Sequence, residues 1–156
     1  MTTATKKQTA VWIRWMIRRD MPEVMAIEEA RFEHPWTEED FIHCLRQRNA
    51  IGMVACERDA QGKILGHMIY ELHRNRLHLL NLAVRQKGIG TGRALIEKLK
   101  GKLSTATRNR LMCEVRESNL DAQCWLRALG FKAISVLKDF YETTPEDAYL
   151  FEFKHR

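Results

Sequence analysis

The sequence predicts one α/β domain built on a mixed β-sheet, and three features of the chain lead to this prediction. Side chains alternate in character with a period of two over residues 11–18, as in a β-strand. An apolar run at residues 77–84 precedes a glycine-rich loop at residues 85–92 and then a helical stripe. A strand followed by a crossover helix pairs in parallel with the next strand, whereas strands joined by short turns pair antiparallel. Both kinds of connection occur here, so the sheet is expected to be mixed.

Length and composition favour a single cytoplasmic domain. A chain of 156 residues, 45% of them hydrophobic, can bury one substantial core. We expect a disordered tail at residues 1–10 and one domain at residues 11–156. No apolar run approaches the roughly 20 residues that cross a bilayer, and the N-terminus lacks the apolar core of a signal peptide, so no membrane partner is expected.

Net charge and cysteine spacing restrict the possible partners. The formal net charge of +6 suits an acidic partner, such as a ribosomal surface or a polyphosphate cofactor, and it also fits ordinary solubilising charge. The four cysteines lie far apart, without a C-x-x-C pair or a Cys/His cluster. We therefore expect reduced thiols, no disulfide framework and no metal site.

Capping residues define two helices after the first strand. Asp20 can cap a helix that begins near Pro22, a proline at the first helical position. The sequence at residues 34–36 (His-Pro-Trp) ends this helix, because proline cannot continue the hydrogen-bond ladder. Thr37 and Asp40 then approximate a capping box for a second helix.

The next segments predict a hairpin and the central strand. Strands are expected at residues 51–57 and 63–72, and the turn composition of residues 59–62 suggests that they form an antiparallel hairpin. Residues 77–84 supply the central strand, which leads directly into the glycine-rich loop.

The glycine-rich loop is a candidate phosphate cradle. Gly88, Gly90 and Gly92 let backbone N–H groups approach an anion closely, and the helix behind them begins with unpaired donors and a partial positive charge. The same glycines would also suit an ordinary tight turn. The rest of the chain has to decide between the two.

The last third of the chain predicts a short strand, a helix and a closing hairpin. The strand covers residues 111–116, and Ser118 can cap the following helix, which Gly130 ends. Two last strands are expected at residues 132–137 and 148–153. The complete order is strand, two helices, three strands, helix, strand, helix and two strands.

Several local strings accompany this order of elements. They are Ile27-Glu28, His34-Pro35-Trp36-Thr37, Asn81-Leu82-Ala83-Val84, Cys113-Glu114-Val115-Arg116 with Ser118-Asn119, Leu129-Gly130-Phe131, and Tyr141 with Thr143-Thr144 and Glu146-Asp147-Ala148. Together they resemble the GNAT superfamily of acyl-CoA-dependent N-acyltransferases, and within it the ribosomal-protein alanine N-acetyltransferases and related N-terminal acetyltransferases. The likeness covers nearly everything from Trp12 onward, and the combination is far more specific than any one string.

The resemblance implies both a fold and a reaction. The fold would be a mixed seven-stranded sheet flanked by about four helices, with a V-shaped splay between the two central parallel strands. The reaction would be acetyl transfer from acetyl-CoA to the N-terminal α-amino group of a protein, with ribosomal proteins among the candidates, by direct attack. Neither DNA nor a membrane is an expected partner, and the oligomeric state is not predicted.

The resemblance also implies which residues bind the cofactor. Backbone groups of Leu82, Ala83 and Val84 would pair with the pantetheine arm as another strand would, and the loop N–H groups would hold the pyrophosphate. Two registers of the family's loop pattern fit, residues 85–90 and 87–92, and this loop is shorter than usual and lacks the customary proline. The residues assigned to the pyrophosphate are Lys87, Gly88, Ile89, Gly90, Thr91 and Gly92.

Two further residues match functional positions of the family. Glu114 matches the glutamate that serves as general base, and Asn119 matches a residue that hydrogen-bonds the cofactor arm. Without the family likeness, Glu114 would be a strand carboxylate paired with Arg116 or exposed to water. Asn119 would be a helix-start residue that satisfies a backbone donor.

The chain departs from the family at the general acid. The family's tyrosine would lie twelve positions after Glu114, where this chain has Leu126, which has no proton to donate. Tyr141 can act instead, or the thiolate can leave unassisted, because a thiol pKa near 8.5 makes it a tolerable leaving group. We favour unassisted departure. By resemblance Tyr141 orients the incoming N-terminus, and the alternative is a half-buried aromatic on a hairpin.

The remaining candidates carry less weight. Phe32, Pro35 and Trp36 can form one wall of a peptide groove, although an aromatic and proline cluster at a helix elbow is more often part of a core. The histidines, His67, His73 and His78, lack metal-like spacing and are interpreted as surface or satisfied residues. Two other functions stay open: acetylation of a small amine, and an acyl-CoA-binding module whose catalysis has lapsed.

Overall fold

The computed structural model describes residues 11–58 and 62–156, which contain seven strands and four α-helices in the predicted order. The predicted tail at residues 1–10 and most of the turn at residues 59–62 lie outside the described residues. The strands are β1 (Val11–Trp15), β2 (Ala50–Glu57), β3 (Ile64–Leu72), β4 (Arg76–Val84), β5 (Arg110–Arg116), β6 (Lys132–Leu137) and β7 (Ala148–Lys154). The helices are α1 (Met21–Arg31), α2 (Glu38–Leu45), α3 (Thr91–Lys100) and α4 (Leu120–Ala128).

The strands form one mixed sheet in the order β1-β2-β3-β4-β5-β7-β6. β1 pairs antiparallel with β2, and β7 pairs antiparallel with both β5 and β6. β4 and β5 are parallel, as the crossover through α3 requires. The prediction of a mixed seven-stranded sheet is confirmed.

The parallel ladder between β4 and β5 is short. It joins residues 76–79 of β4 to residues 110–113 of β5, whereas β4 continues to Val84 and β5 to Arg116. A ladder that stops before its strands do is what a splay between them requires. The splay itself stays a prediction.

The chain divides into two compact units. The first contains the described residues up to Tyr70 together with residues 81–98, and the second contains residues 71–80 and 99–156. The first unit therefore carries the glycine-rich loop, and the second carries β5, α4 and the final hairpin. β4 contributes residues to both. No helix among the described residues combines the length and the apolar character needed to cross a bilayer.

Helix starts in the first unit follow the capping residues, with one correction. Thr37 and Asp40 form the predicted capping box of α2, with bonds of 2.8 and 3.2 Å between side chains and backbone. Asp20 precedes α1, but its carboxylate does not cap the helix. It accepts two bonds of 2.8 Å from the guanidinium of Arg14 and another from the Ile17 N–H. Burial alone would raise the pKa of Asp20, and these bonds outweigh burial and lower it.

The start of α4 in the second unit also differs from the prediction. Asn119, rather than Ser118, caps α4, because its side-chain oxygen accepts from the Ala122 N–H at 3.2 Å. Ser118 instead donates to Glu146 through its N–H at 3.0 Å and through its hydroxyl. Gly130 ends the helix as predicted, with a φ of 95° that favours glycine.

Candidate functional site

The candidate phosphate cradle lies in the first unit, between the end of β4 and the start of α3. Gly88 and Gly90 have φ values of 83° and 90°, in the left-handed region that glycine adopts without strain. The Ala94 N–H bonds the Gly90 carbonyl at 3.0 Å, so the helical ladder leaves the earlier N–H groups of α3 to other acceptors. The first turn of α3 also carries no acidic residue. The loop therefore fits an anionic group such as a pyrophosphate.

The two loop registers differ mainly in the use of Gly92. Gly92 lies inside α3, whereas the left-handed glycines Gly88 and Gly90 belong to both registers. Thr91 begins the helix and is almost fully buried, and its hydroxyl oxygen has no hydrogen-bond partner among the described residues. The choice between the registers stays open, and the cradle is defined by Gly88, Gly90 and the start of α3.

The end of β4 packs closely against β3 at a glycine. A Cβ on Gly66 would lie 2.9 Å from the Ala83 carbonyl oxygen and 3.1 Å from Cγ2 of Thr91. The Arg85 N–H donates to the Leu65 carbonyl at 2.7 Å. Residues 83 and 85 thus direct their backbone toward β3, and because backbone groups alternate along a strand, residues 82 and 84 direct theirs to the opposite edge.

Arg31 of α1 donates hydrogen bonds to the backbone at the end of β4. Its Nε donates to the Val84 carbonyl at 2.7 Å, and its terminal nitrogen donates to the Arg85 carbonyl. Arg85 in turn pairs with Glu23 at 3.1 Å. The carbonyl of Val84 is therefore engaged by the protein itself, which restricts pairing with a ligand to the other backbone groups of this edge.

A buried carboxylate connects α1 with the sheet of the first unit. Glu28 is fully buried and accepts from the Asn81 amide at 2.8 Å and from the Trp36 N–H at 3.3 Å. Nε2 of His67, also fully buried, lies 3.0 Å from the same carboxylate. The sequence showed Glu28 only as part of a string. The one signal for its burial was its helical spacing from Val24, which lies four residues before it on the apolar face.

The hydrogen bond from the Trp36 N–H to Glu28 restrains the elbow between α1 and α2 (residues 34–36), which carries the candidate substrate residues Pro35 and Trp36. The Trp36 ring lies 5.2 Å from the Phe41 ring, so the indole packs on α2. Pro35 is exposed. Trp36 also lines a surface cavity of about 590 Å³, which it shares with Glu39, Asp40, His43 and Cys44. The indole thus has both a packing role and an accessible face.

Glu114, the predicted general base, lies on β5 in the second unit beside a histidine. Nε2 of His78 lies 2.8 and 2.7 Å from the two carboxylate oxygens of Glu114. The two side chains are 13% and 17% exposed. An ionised carboxylate only accepts hydrogen bonds, so pairing with it requires the His78 tautomer that carries its proton on Nε2 and donates from there. The alternative pairing of Glu114 with Arg116 is wrong, because Arg116 binds Glu146 at 2.9 Å.

Strand register explains this pairing, which the sequence did not reveal. His78 on β4 lies opposite Met112 on β5, and Glu114 follows Met112 by two residues. Side chains two residues apart on a strand share a face, so His78 and Glu114 are diagonal neighbours on one face of the ladder. Their separation of 36 residues in sequence leaves no local signal.

Tyr141 is held in the second unit by Arg116 and Phe140. The Arg116 guanidinium carbon lies 3.7 Å from the centre of the Tyr141 ring, and the Phe140 ring contacts it edge-on at 5.1 Å. Burial raises the pKa of Tyr141 to about 12; Arg116 opposes the rise, and the carboxylate of Glu114 adds to it. The phenol therefore keeps its proton near neutral pH and can donate a hydrogen bond.

The loop before β7 is fastened to the start of α4. Arg116 donates to the Thr144 hydroxyl at 2.8 Å and to Glu146 at 2.9 Å, and Glu146 also accepts from Ser118. These bonds from Ser118 and Arg116 lower the pKa of Glu146. Asn119 uses its side-chain oxygen as the cap of α4, so contact with a cofactor would use its Nδ2 amide.

Leu126 and Cys113 have little capacity for proton transfer or nucleophilic attack. Leu126 is 4% exposed, buried on α4, and has no proton to give. Burial raises the pKa of the Cys113 thiol to about 12, and the charge of Glu114 adds to this, so the thiol stays protonated and weakly nucleophilic. The described part of the chain brings together no group of three His, Cys, Asp or Glu side chains suited to a metal ion.

Known proteins share both the sequence pattern and the fold. The model of the Acetyltransferase (GNAT) family matches residues 21–131. A relative from Escherichia coli strain K12, named [Ribosomal protein bS18]-alanine N-acetyltransferase, is 30% identical over 138 residues, which cover 84% of this chain and 88% of the relative.

Two solved structures align over nearly the whole chain. The crystal structure of the ribosomal-protein-S18-alanine N-acetyltransferase from Escherichia coli has a TM-score of 0.77 at 26% identity and covers 93% of this chain and 94% of that one. The structure of Arabidopsis thaliana NAA60 in complex with acetyl-CoA has a TM-score of 0.76 at 16% identity, covers 93% and 98%, and supports the fold alone. From the match over residues 21–131 and these likenesses, the chain belongs to the acetyltransferase (GNAT) family of N-acetyltransferases.

Proposed function

We propose that this protein transfers the acetyl group of acetyl-CoA to the α-amino group of a protein N-terminus in the cytoplasm, with a ribosomal protein as the first substrate to test. The observation that carries the proposal is the mostly buried carboxylate of Glu114, which His78 holds as a hydrogen-bond acceptor. The family match and the name of the 30% identical relative support the reaction class.

The first unit supplies the groups that we assign to acetyl-CoA. Pantetheine carries two amides, which suit the backbone of Leu82 and Val84 at the edge of β4 that faces away from β3. The Val84 carbonyl is already bonded to Arg31, so we assign the N–H of Val84 and the backbone of Leu82. The pyrophosphate suits the loop and the start of α3. The other residues proposed to contact the cofactor are Ala83, Lys87, Gly88, Ile89, Gly90, Thr91, Gly92 and Asn119.

The cofactor, when bound, supplies a thioester carbonyl as the electrophile. Glu114 takes the proton that the substrate ammonium must lose before it can attack, either directly or through water. Leu126 has no proton to donate, and Tyr141 holds its proton with a pKa of about 12, so neither is assigned the role of general acid. The protonated thiol of Cys113 argues against an acyl-enzyme, and attack is therefore direct.

The peptide is assigned to Tyr141 and to the elbow of the first unit. The Tyr141 hydroxyl can donate a hydrogen bond to the incoming N-terminal residue, and Arg116 fixes the ring that carries it. Pro35 and Trp36 are proposed to form a wall for the first residues of the peptide. Turnover should therefore depend strongly on the identity of the first residues of the peptide. A small-amine acetyltransferase would instead acetylate isolated amines as well as it acetylates peptides.

The central experiment replaces Glu114 by Gln and measures thiol release from acetyl-CoA with a panel of N-terminal peptides. We expect kcat to fall by about 10²- to 10⁴-fold, because the variant cannot accept the proton, while calorimetric binding of acetyl-CoA is retained. Glu117→Gln, at an exposed neighbouring position, is the matched control and should keep wild-type turnover. Wild-type rates in Glu114→Gln across a pH series would refute the base assignment.

An acyl-CoA-binding module without catalytic activity stays as the alternative function, because Leu126 stands where the family's general-acid tyrosine would lie. That alternative predicts that the wild-type protein binds acetyl-CoA in calorimetry but releases no thiol with any peptide or small amine. Mass spectrometry of protein N-termini in cells lacking the protein would identify the substrate, and an unchanged set of ribosomal N-termini would exclude a ribosomal one.

A further inference from the structure

We propose that His78 is the positioning residue of the general base: its Nε2–H holds the Glu114 carboxylate in the orientation from which it takes the substrate proton. The inference rests on the proposed function, in which Glu114 is the base. It adds a residue that neither the family match nor the local motifs pointed to, since His78 was interpreted as a surface or satisfied histidine.

The contact geometry favours orientation over simple charge pairing. Nε2 of His78 lies nearly equidistant from both oxygens of Glu114, at 2.8 and 2.7 Å, so one donor restrains the rotation of the whole carboxylate. His78 lies within the parallel ladder between β4 and β5, and Glu114, one residue beyond that ladder, is paired with Leu150 of β7. A carboxylate has about four acceptor positions, and one shared donor leaves the others available for the substrate proton.

The His78 ring is itself supported from the turn between β3 and β4. The ring of His73 contacts it edge-on at 6.1 Å, and Nε2 of His73 lies 3.1 Å from Glu71. The charge of Glu114 also acts on the phenol of Tyr141 and on the buried thiol of Cys113, raising the pKa of each. Arg116, the nearest cation along β5, is engaged by Glu146, which leaves the histidine to set the direction of the carboxylate.

The proton count of this step is simple. An N–H bond of the substrate ammonium breaks, and an O–H bond forms on Glu114, while the electron pair left on nitrogen becomes the nucleophile. The proton on Nε2 of His78 stays in place throughout. His78 therefore exchanges no proton with the substrate and acts only through Glu114.

The test is a double-mutant cycle on His78 and Glu114. His78→Phe keeps a ring of similar size without a donor, and we expect it to lower kcat by about 10- to 100-fold, since a misplaced catalytic group costs up to that factor, with the KM for acetyl-CoA unchanged. His78→Gln, whose side-chain amide offers an N–H in a similar position, should recover most of the loss. In the Glu114→Gln background, His78→Phe should cause no further loss, because its effect passes through the carboxylate.

Three controls separate this role from a structural one. His155→Phe, a histidine-to-phenylalanine change elsewhere in the second unit, should leave kcat unchanged. Circular dichroism and thermal unfolding should show that His78→Phe is folded. Nitrogen-15 NMR of the wild-type imidazole should show the proton on Nε2, and a proton on Nδ1 alone would overturn the assignment.

The possible outcomes distinguish the inference from the proposed function. Wild-type kcat in His78→Phe, or equal losses in the wild-type and Glu114→Gln backgrounds, overturns the role of His78 and leaves the acetyltransferase assignment intact. Full activity of Glu114→Gln overturns the base and its positioning residue together. A wild-type protein that binds acetyl-CoA without turnover overturns the proposed function, and the role of His78 falls with it.

Discussion

At the scale of single residues, Tyr141 shows how surroundings select one chemical role from several. A tyrosine near a proposed acetyl-transfer site can donate a proton or only a hydrogen bond. Here burial raises the pKa of Tyr141 to about 12, well above the thiol pKa of about 8.5, so proton donation to a thiolate would be unfavourable. The stacked Arg116 restrains the ring instead, which suits a hydrogen-bond donor that orients a peptide.

Replacing Tyr141 by Phe should therefore affect binding more than chemistry. We expect the KM for the peptide to rise about 10-fold, the equivalent of one hydrogen bond of about 1.4 kcal/mol, with a smaller change in kcat. The pH-rate profiles of the variant and the wild type should be parallel between pH 6 and 10, because a phenol with a pKa of about 12 does not ionise there. Tyr149→Phe, on β7, is the control.

The same pKa has a consequence for stability with a definite sign. The folded pKa of about 12 lies above the unfolded value of about 10, so the neutral phenol is favoured in the folded protein. The contribution of the neutral phenol to the free energy of unfolding is therefore complete below pH 10 and is lost as the pH rises through 12.

The kinetic prediction for Tyr141→Phe has a contradicting outcome. An alkaline limb in the rate profile that disappears in this variant would contradict the donor role and restore tyrosine as the general acid.

At the scale of elements, the approach of β3 to β4 depends on a missing side chain. The Ala83 carbonyl lies so close to Gly66 that a Cβ there would stand 2.9 Å from it, and backbone cannot yield as a flexible side chain does. The same Cβ would press on Thr91 at the start of α3. Gly66 thus positions two parts of the first unit that we assign to acetyl-CoA.

Gly66→Ala should consequently reduce both stability and cofactor affinity. We expect a loss of about 1–3 kcal/mol in the free energy of unfolding, typical of overpacking, measured by urea denaturation, and weaker binding of acetyl-CoA in calorimetry. Gly52→Ala is the control on β2: its Cβ would meet the end of the Leu45 side chain at 3.0 Å and Cβ of Met16 at 3.3 Å, contacts outside the cradle, so acetyl-CoA affinity should be unchanged even where stability falls. Equal acetyl-CoA affinity in Gly66→Ala and the wild type would contradict this account of the cradle.

At the scale of the whole molecule, the net charge of +6 and the cradle favour an anionic ligand. Such a ligand binds the folded state and not the unfolded chain, because only the folded state contains the cradle. Acetyl-CoA at about 100 times its Kd should then stabilise the folded state by about 2.7 kcal/mol, seen as a rise of several degrees in Tm. The rise should shrink with added salt, because exposed charges are screened. It should also be smaller in Gly66→Ala at the same ligand concentration.

Adenosine without phosphates is the ligand control for this measurement and should produce little shift. If saturating acetyl-CoA leaves the Tm of the folded wild-type protein unchanged, that result contradicts the assignment of acetyl-CoA as the cofactor. Apolar periodicity and net charge do not predict the affinity for acetyl-CoA, because that affinity depends on how the loop and the start of α3 are arranged in the folded chain.

The sequence by itself determined the elements and the reaction class. Alternation, helical spacing, the capping box at Thr37 and the left-handed glycine at Gly130 are local, so neighbouring residues were enough to place them, and all appear in the structure. Glu114 was identified through its motif, and its role as the base stays a prediction. The Asp20 and Ser118 caps were wrong because each side chain has a stronger partner, Arg14 for Asp20 and Glu146 for Ser118.

Only the tertiary structure decided which groups surround the candidate catalytic residues. The pairing of His78 with Glu114 depends on the register of two strands, and the stacking of Arg116 on Tyr141 depends on how the last hairpin folds back. The burial of Glu28 with His67 likewise follows from packing across 39 residues of chain. Hydrogen bonds and burial act over a few ångströms whatever the separation in sequence, so these partners, and the protonation of Tyr141 and Cys113 that they help to set, are properties of the folded chain.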